Sequence, residues 1–388
     1  MRCTTQQTHH GTTNAQIPTR YRMNANTNEN PPSRCETSQN ECQGKTTTTT
    51  TIIHPTLVCV CLPPTLPLII TTTTTTTKAM FLTLNEAARI GNLERIVELL
   101  DRGIQVDEPD NDGKTALLLA SALNHRNIVT TLLQRGANVN AKAKWGRSAL
   151  YEAAEMGNIG IVRILLENGA DVNIACNTGD TPLIAAASGL TDNHGIMSLL
   201  LENGADPNIT GREGTTALLQ AISNNAVRDV ELLLQHGANP NLANEDGETP
   251  FMTATREHQK GTALMLLGAG ANVHAKNRSG DTALIIAAQS EAVDIAKLLI
   301  EHGANVNETG EHSRTALMAA AEVGQATIIR LLVTHGAKLD YKDKSGLTAL
   351  QIACLSSKDG AVYELLEAHA EYFGHHSEVP RAILGNTD

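Results

Sequence analysis

Seven cysteines and fourteen histidines are the side chains of this 388-residue sequence best suited to nucleophilic or metal chemistry. Their placement argues against both. Cys3, Cys35, Cys42, Cys59 and Cys61 fall before position 80, and only Cys176 and Cys354 lie beyond. Cys59-x-Cys61 has one histidine close by, His54, and no second pair, whereas structural zinc needs four converging ligands. Cys176 and Cys354 are far apart along the chain. They read as reduced packing residues of an intracellular protein, Cys354 as a buried one. His125, His194, His236, His258, His302 and His335 fall at expected helix ends and loops, where an imidazole caps or is solvated. No phosphate loop, nucleophile elbow, kinase signature or zincin helix is present. The expected chemistry is therefore recognition without catalysis, cofactor or metal.

The elements that would present recognition residues come from an internal repeat. Thr115, Ser148, Thr181, Thr216, Thr249, Thr282, Thr315 and Thr348 share one constant spacing in sequence, broken only between Thr181 and Thr216, where it is two longer. A Gly-Ala marker starts at Gly136, Gly169, Gly204, Gly237, Gly270, Gly303 and Gly336. Its distance from the preceding Thr or Ser is also constant, and again two longer from Thr181 to Gly204. One two-residue insertion, within Ser188 to Gly195, explains both irregular gaps. Each Thr or Ser is placed to cap a helix start, with Pro182 and Pro250 at the first helical position. Small pairs such as Ala153-Ala154 and Ala320-Ala321 let a neighbouring helix approach. A second helix with a wide apolar face, such as Ile161, Val162, Ile164, Leu165 and Leu166, ends at the Gly-Ala glycine. A polar loop then leads to a turn glycine two residues before the next Thr or Ser, except that Ser313 takes that place in one unit and should alter its turn.

These units resemble ankyrin repeats. Asp246-Gly247-Glu248-Thr249-Pro250-Phe251 matches the opening of that family's motif, and Leu165 to Asn173 matches its close. A ninth unit, from Leu84 to Gly103, precedes the eight marked ones. The resemblance implies an all-α ankyrin-repeat solenoid of helix-turn-helix units with projecting β-turn fingers. The family's usual His is replaced by Leu118, Tyr151, Ile184, Leu219, Met252, Ile285, Met318 and Gln351, so apolar packing is expected where His would hydrogen-bond. His369 stands where the last unit would have its stopping glycine, which suits a terminal cap. Asn140, Asn173, Asn208, Asn241 and Asn307 occupy positions that are hydroxylated in some members of the family, although loop hydrogen bonding is their main expected role.

Ankyrin stacks bind protein partners in a concave groove lined by the fingers and the ends of the first helices. The corresponding candidates here are Lys144, Trp145, Arg147, Tyr151, Glu155 and Met156, followed by Arg212, Arg256, Arg278 and Arg314. Trp145 is the only tryptophan, and an exposed Trp beside Arg has the composition of a binding hot spot. The arginine row could read an acidic or phosphorylated peptide. The insertion near Thr191–His194 is a second candidate contact, or only a longer turn.

The formal charge of −11 is uneven. The segment 1–79 carries six basic and three acidic residues, net +3, leaving −14 on the rest. An acidic body argues against nucleic acid and anionic membrane. The same segment is Thr-rich, with pure runs at Thr46–Thr51 and Thr71–Thr77, and is expected to be a disordered tail. Within it, Ile52–Ile70 approaches the length of a membrane span but contains Pro55, Pro63, Pro64 and Pro67. An unstructured linker, a membrane anchor and translation starting at Met80 are its three readings, and the prolines favour the first. The expected organisation is tail 1–79, repeat domain 80–370 and C-terminal tail 371–388. The expected function is a monomeric protein-interaction scaffold of the cytoplasm or nucleus. A targeting subunit of a larger enzyme complex and a membrane-linked adaptor are the alternatives.

Overall fold

A computed structural model describes residues 82–189 and 193–373. The Thr-rich tail, the apolar stretch Ile52–Ile70, the Cys59 and Cys61 pair, most of the insertion and the C-terminal tail beyond 373 lie outside the described residues.

The described chain forms nine helix pairs. In order they are α1 (Leu84–Ile90) and α2 (Leu93–Asp101), α3 (Ala116–Ala122) and α4 (Arg126–Gln134), α5 (Ala149–Glu155) and α6 (Ile159–Glu167), α7 (Pro182–Ser188) and α8 (His194–Glu202), and α9 (Ala217–Ser223) and α10 (Val227–Gln235). The remaining four pairs are α11 (Pro250–Arg256) and α12 (Lys260–Gly268), α13 (Ala283–Ser290) and α14 (Val293–Glu301), α15 (Ala316–Val323) and α16 (Ala326–Thr334), and α17 (Ala349–Leu355) and α18 (Asp359–Phe373). No strand occurs among the described residues, only isolated antiparallel bridges such as Lys142 with Ser148.

Local chemistry sets the boundaries of these helices. Thr181, Thr216 and Thr249 each accept at the side-chain oxygen from the third helical amide, as Ser148 does from Tyr151. That satisfies a donor the helix leaves free and contributes about 1 kcal/mol per cap. Thr115 makes no such bond, whereas Thr83 and Thr348 add a return bond from Glu86 and Gln351. The insertion falls between α7 and α8, as the marker spacing requires. The terminal helix α18 runs 15 residues to Phe373, because His369 cannot stop it as a glycine would.

The first helices of successive units pack on one another through their small residues. Ala87, Ala88, Ala120, Ala153, Ala154, Ala320 and Ala321 have no exposed surface. Each second helix adds an apolar face, with Ile161, Val162 and Leu165 fully buried in α6. Seven of the eight residues that replace the family's His pack in this core, from Leu118 at 1% exposed to Tyr151 at 5%. Gln351 instead lies exposed and caps its own helix. Cys354 departs from expectation: it is only half-buried, since among the described residues α17 packs on the first helix of one neighbouring unit.

A second set of bonds ties the loops together. Asn140 Oδ1 accepts from the Asp171 amide at 2.9 Å, and its Nδ2 donates to the Gly169 carbonyl at 3.4 Å. Asn173, Asn208, Asn241 and Asn307 repeat both bonds at the following joints. Loop hydrogen bonding, the main role expected of these asparagines, is what they do.

Candidate functional site

Each finger is a turn closed by its own backbone and tied to the next. In the finger of Trp145, the Ala143 amide donates to the Arg147 carbonyl at 3.0 Å. Lys144 N donates to Asp112 O of the preceding finger, and Asn177 N of the following finger donates to Trp145 O at 3.0 Å. Gly146 is required here twice over. Its φ is +75°, and a Cβ would lie 2.7 Å from Asn177 N. The finger is thus fixed at both flanks while the Trp145 side chain remains 68% exposed. No core lies within its reach.

At the base of this finger Arg147 Nη1 donates to Glu155 Oε2 at 2.8 Å and the guanidinium stacks over the Tyr151 ring, 4.8 Å from its centroid. Burial pushes the Tyr151 phenol up to about 12, with Glu155 and Asp180 adding to the rise and Arg147 opposing it. Burial works to lower the Arg147 pKa, but Tyr151, once ionised at high pH, and the carboxylates of Glu155 and Glu152 outweigh it and hold it above its usual value. Tyr151 therefore stays neutral and Arg147 charged throughout the physiological range.

A cleft of about 430 Å³ opens between this finger and the next, lined by Trp145, Arg147, Tyr151, Thr178, Asp180 and Arg212 among others. Four of the sequence candidates thus meet in one place. Met156, 52% exposed, caps the end of α5, and Lys144 is exposed on the finger. Arg256, Arg278 and Arg314 lie on later units and do not join the cleft.

The arginine row is less free than the sequence suggested. Arg147 pairs with Glu155, Arg256 with Glu248, and Arg314 with Glu322 at 2.5 Å and Asp343 at 3.9 Å. In each of the three principal pairs, a residue immediately before the capping Thr or Ser reaches one eight positions later, at the end of the first helix. In the Thr249 unit the two signs are exchanged. Arg212 contacts Glu213 at 3.1 Å and Arg278 lies 3.8 Å from Asp246, both highly exposed. Arg147, Arg256 and Arg314 are thus held in pairs, while Arg212 and Arg278 stay exposed beside their acids.

Sequence reasoning missed Lys114, Glu152 and Asp180, which also line the cleft. Glu152 carried a signal. It sits four residues after Ser148, a column that otherwise holds Leu119, Ala185, Gln220, Thr253, Ile286, Ala319 and Ile352, so it is the one acid among them. Cys176, expected to be a packing residue, lies half-buried in a finger with its Sγ 3.0 Å from Thr178 Oγ1.

The finger containing Ser313 is altered, but Ser313 is not the cause. Fingers 212–214 and 311–313 share the same tight turn, and the former keeps its Gly214. What they share is an initial glycine, Gly211 or Gly310, facing an aspartate of the preceding unit. Asp180 Oδ1 accepts from Arg212 N at 2.8 Å, and Asp281 Oδ1 from Glu311 N at 3.0 Å. A Cβ on either glycine would lie 2.0 Å from that oxygen.

No cluster of three or more metal-ligating side chains occurs among the described residues, and none of their helices is long and apolar enough to cross a membrane. Comparison with known proteins gives a consistent picture. The family profile for ankyrin repeats, in three-copy form, matches residues 81–143, 138–211, 192–277, 218–310, 259–343 and 307–373. The crystal structure of the human ASB11 ankyrin repeat domain is similar, with a TM-score of 0.51 and 30% identity over 57% of this chain and 98% of that one. No curated protein matches.

Proposed function

The chain belongs to the ankyrin repeat family, and we propose that it is a non-catalytic scaffold that holds a protein partner on the finger side of the first units. One observation carries this reading: Trp145 is displayed 68% exposed on a finger whose backbone is held from both sides. A large aromatic without a core to enter, on a rigid support, gives high contact area at low ordering cost, which is the property of a hot-spot residue. Arg147, Tyr151, Glu155 and Met156 flank it. The scaffold acts as a monomer in the cytoplasm or nucleus.

The test compares full-length protein with its Trp145→Ala variant in partner capture, alongside thermal unfolding. The scaffold reading expects capture to fall at least tenfold, about 1.4 kcal/mol or more, while the midpoint is nearly unchanged. A variant that captures the same proteins as before would remove Trp145 from the interface. A large fall in the midpoint would show that the residue is structural.

A further inference from the structure

We propose that the cleft beside Trp145 accepts a basic side chain, lysine or arginine, from the partner protein, with Glu152 and Asp180 as its acceptors. This rests on the scaffold reading and makes its partner chemistry specific.

The first observation is Glu152. Its side chain is 5% exposed, and its Oε1 is buried without a hydrogen-bond partner. The nearest cations to Oε1 are Lys114 Nζ at 3.6 Å and Arg147 Nη1 at 4.0 Å, both beyond hydrogen-bond reach. A buried carboxylate oxygen without a donor is costly, and a donor arriving from outside recovers that cost on binding. The second observation is the charge balance of the cleft. Arg147 is held by Glu155, and the exposed Arg212 contacts Glu213 through Nε. Asp180 accepts from Thr178 Oγ1 and from the Arg212 amide but forms no ion pair. The lining itself holds Lys114, Arg147 and Arg212 with Glu152 and Asp180, and Glu155 and Glu213, outside it, pair with the two arginines, which leaves Lys114 against two carboxylates.

The third observation is the rim. Trp145 stands largely exposed at the rim, an aromatic surface against which a cation or the methylene stem of Lys or Arg packs favourably. Lys114 does not block the site. Its side chain is 32% exposed and on a flexible stem, so it can yield the carboxylate to a ligand with better geometry. The net −14 of the chain beyond residue 79 favours approach of a basic segment. An acidic or phosphorylated segment would meet the carboxylates of Glu152 and Asp180 inside the cleft.

The single tryptophan makes the test direct. Purified full-length protein is titrated at fixed ionic strength with end-blocked tetralysine and tetraarginine, and with tetraglutamate and tetraserine as comparisons. Binding is read by Trp145 emission and independently by calorimetry. A basic peptide should saturate, while tetraglutamate and tetraserine should not. Glu152→Gln and Asp180→Asn should each weaken the basic peptide about tenfold, the equivalent of one charge-assisted hydrogen bond, and Glu301→Gln, exposed on α14, should change nothing. Unaltered unfolding midpoints confirm that both cleft variants fold. The proposal is overturned if tetraglutamate is the peptide that saturates, if no peptide does, or if the two cleft variants bind basic peptide as before, which would mark a diffuse acidic surface. Loss of partner capture in Trp145→Ala alongside any of those results would leave the scaffold reading standing and reject only the basic ligand.

Discussion

Replacing His274 by Asn should tighten the joint between the units that open at Thr249 and Thr282. At five other joints an asparagine makes the same two bonds, accepting a loop amide at 2.7–2.9 Å and donating to a glycine carbonyl at 3.0–3.4 Å. The glycine and the amide keep the same offsets from the asparagine in sequence, except across the insertion. The same offsets set Gly303 O and Asn305 N opposite residue 274, which is an exposed histidine that makes neither bond. A net hydrogen bond contributes about 0.5–1.5 kcal/mol, and exposure to water favours the low end. His274→Asn should therefore add about 1 kcal/mol, roughly a fivefold shift in the unfolding equilibrium at that joint. Urea unfolding of the full chain, followed by circular dichroism, gives the total. Amide exchange gives the location, since Asn305 N–H should become protected. Asn241→His, one joint earlier, should lose about as much as His274→Asn gains. An unchanged or lower urea midpoint for His274→Asn, with Asn305 still exchanging freely, would refute the claim that these asparagines couple the units.

Other consequences can be checked separately. Gly211→Ala should cost about 1–3 kcal/mol by forcing its Cβ onto Asp180 Oδ1, and much of that cost should vanish in the Asp180→Ala background, which a double-mutant cycle in urea would measure. Leu165→Ala, at a position with no exposed surface, should destabilise by about 2–5 kcal/mol in the same assay. The hydrogen bond from Arg330 holds the Glu364 carboxyl below its usual range. A depressed carboxylate stabilises the fold above its unfolded pKa of about 4.3, and that contribution disappears as pH falls through the lower folded value. Arg330→Gln should therefore be less stable than the parent at pH 7 and converge with it in strong acid, as read by unfolding midpoints at both pH values.

The period, the helix order and most caps were legible in the sequence because each has a local cause: a hydroxyl before an apolar run, a glycine after one. The insertion was located to within a few residues for the same reason. What escaped were relations between units. Asn140 was visible as one of a column, but its bonding partners, Gly169 and Asp171, belong to the next unit. The arginines were read one at a time, so the pairing of Arg147 with Glu155 eight residues away was missed, although opposite charges at that spacing occur three times. The place of Cys354 in the repeat predicts burial, whereas its half-burial reflects that α17 is the last first helix among the described residues. Of the cleft, Trp145, Arg147, Tyr151 and Arg212 could be named in advance. Glu152 is marked in the sequence as the one acid of its column, but that its Oε1 lacks a hydrogen bond shows only once its neighbours are in place.

The pair joining finger base to helix end also bears on how such a surface can change. Arg147 with Glu155 and Glu248 with Arg256 are the same contact with its sign inverted, and the backbone around both is alike. Exchanging the two members leaves the net charge and the fold untouched while reversing the local dipole that the finger side presents. Each of the three units that hold this pair therefore carries a two-position coordinate along which partner preference can be rewritten without a compensating change in the core.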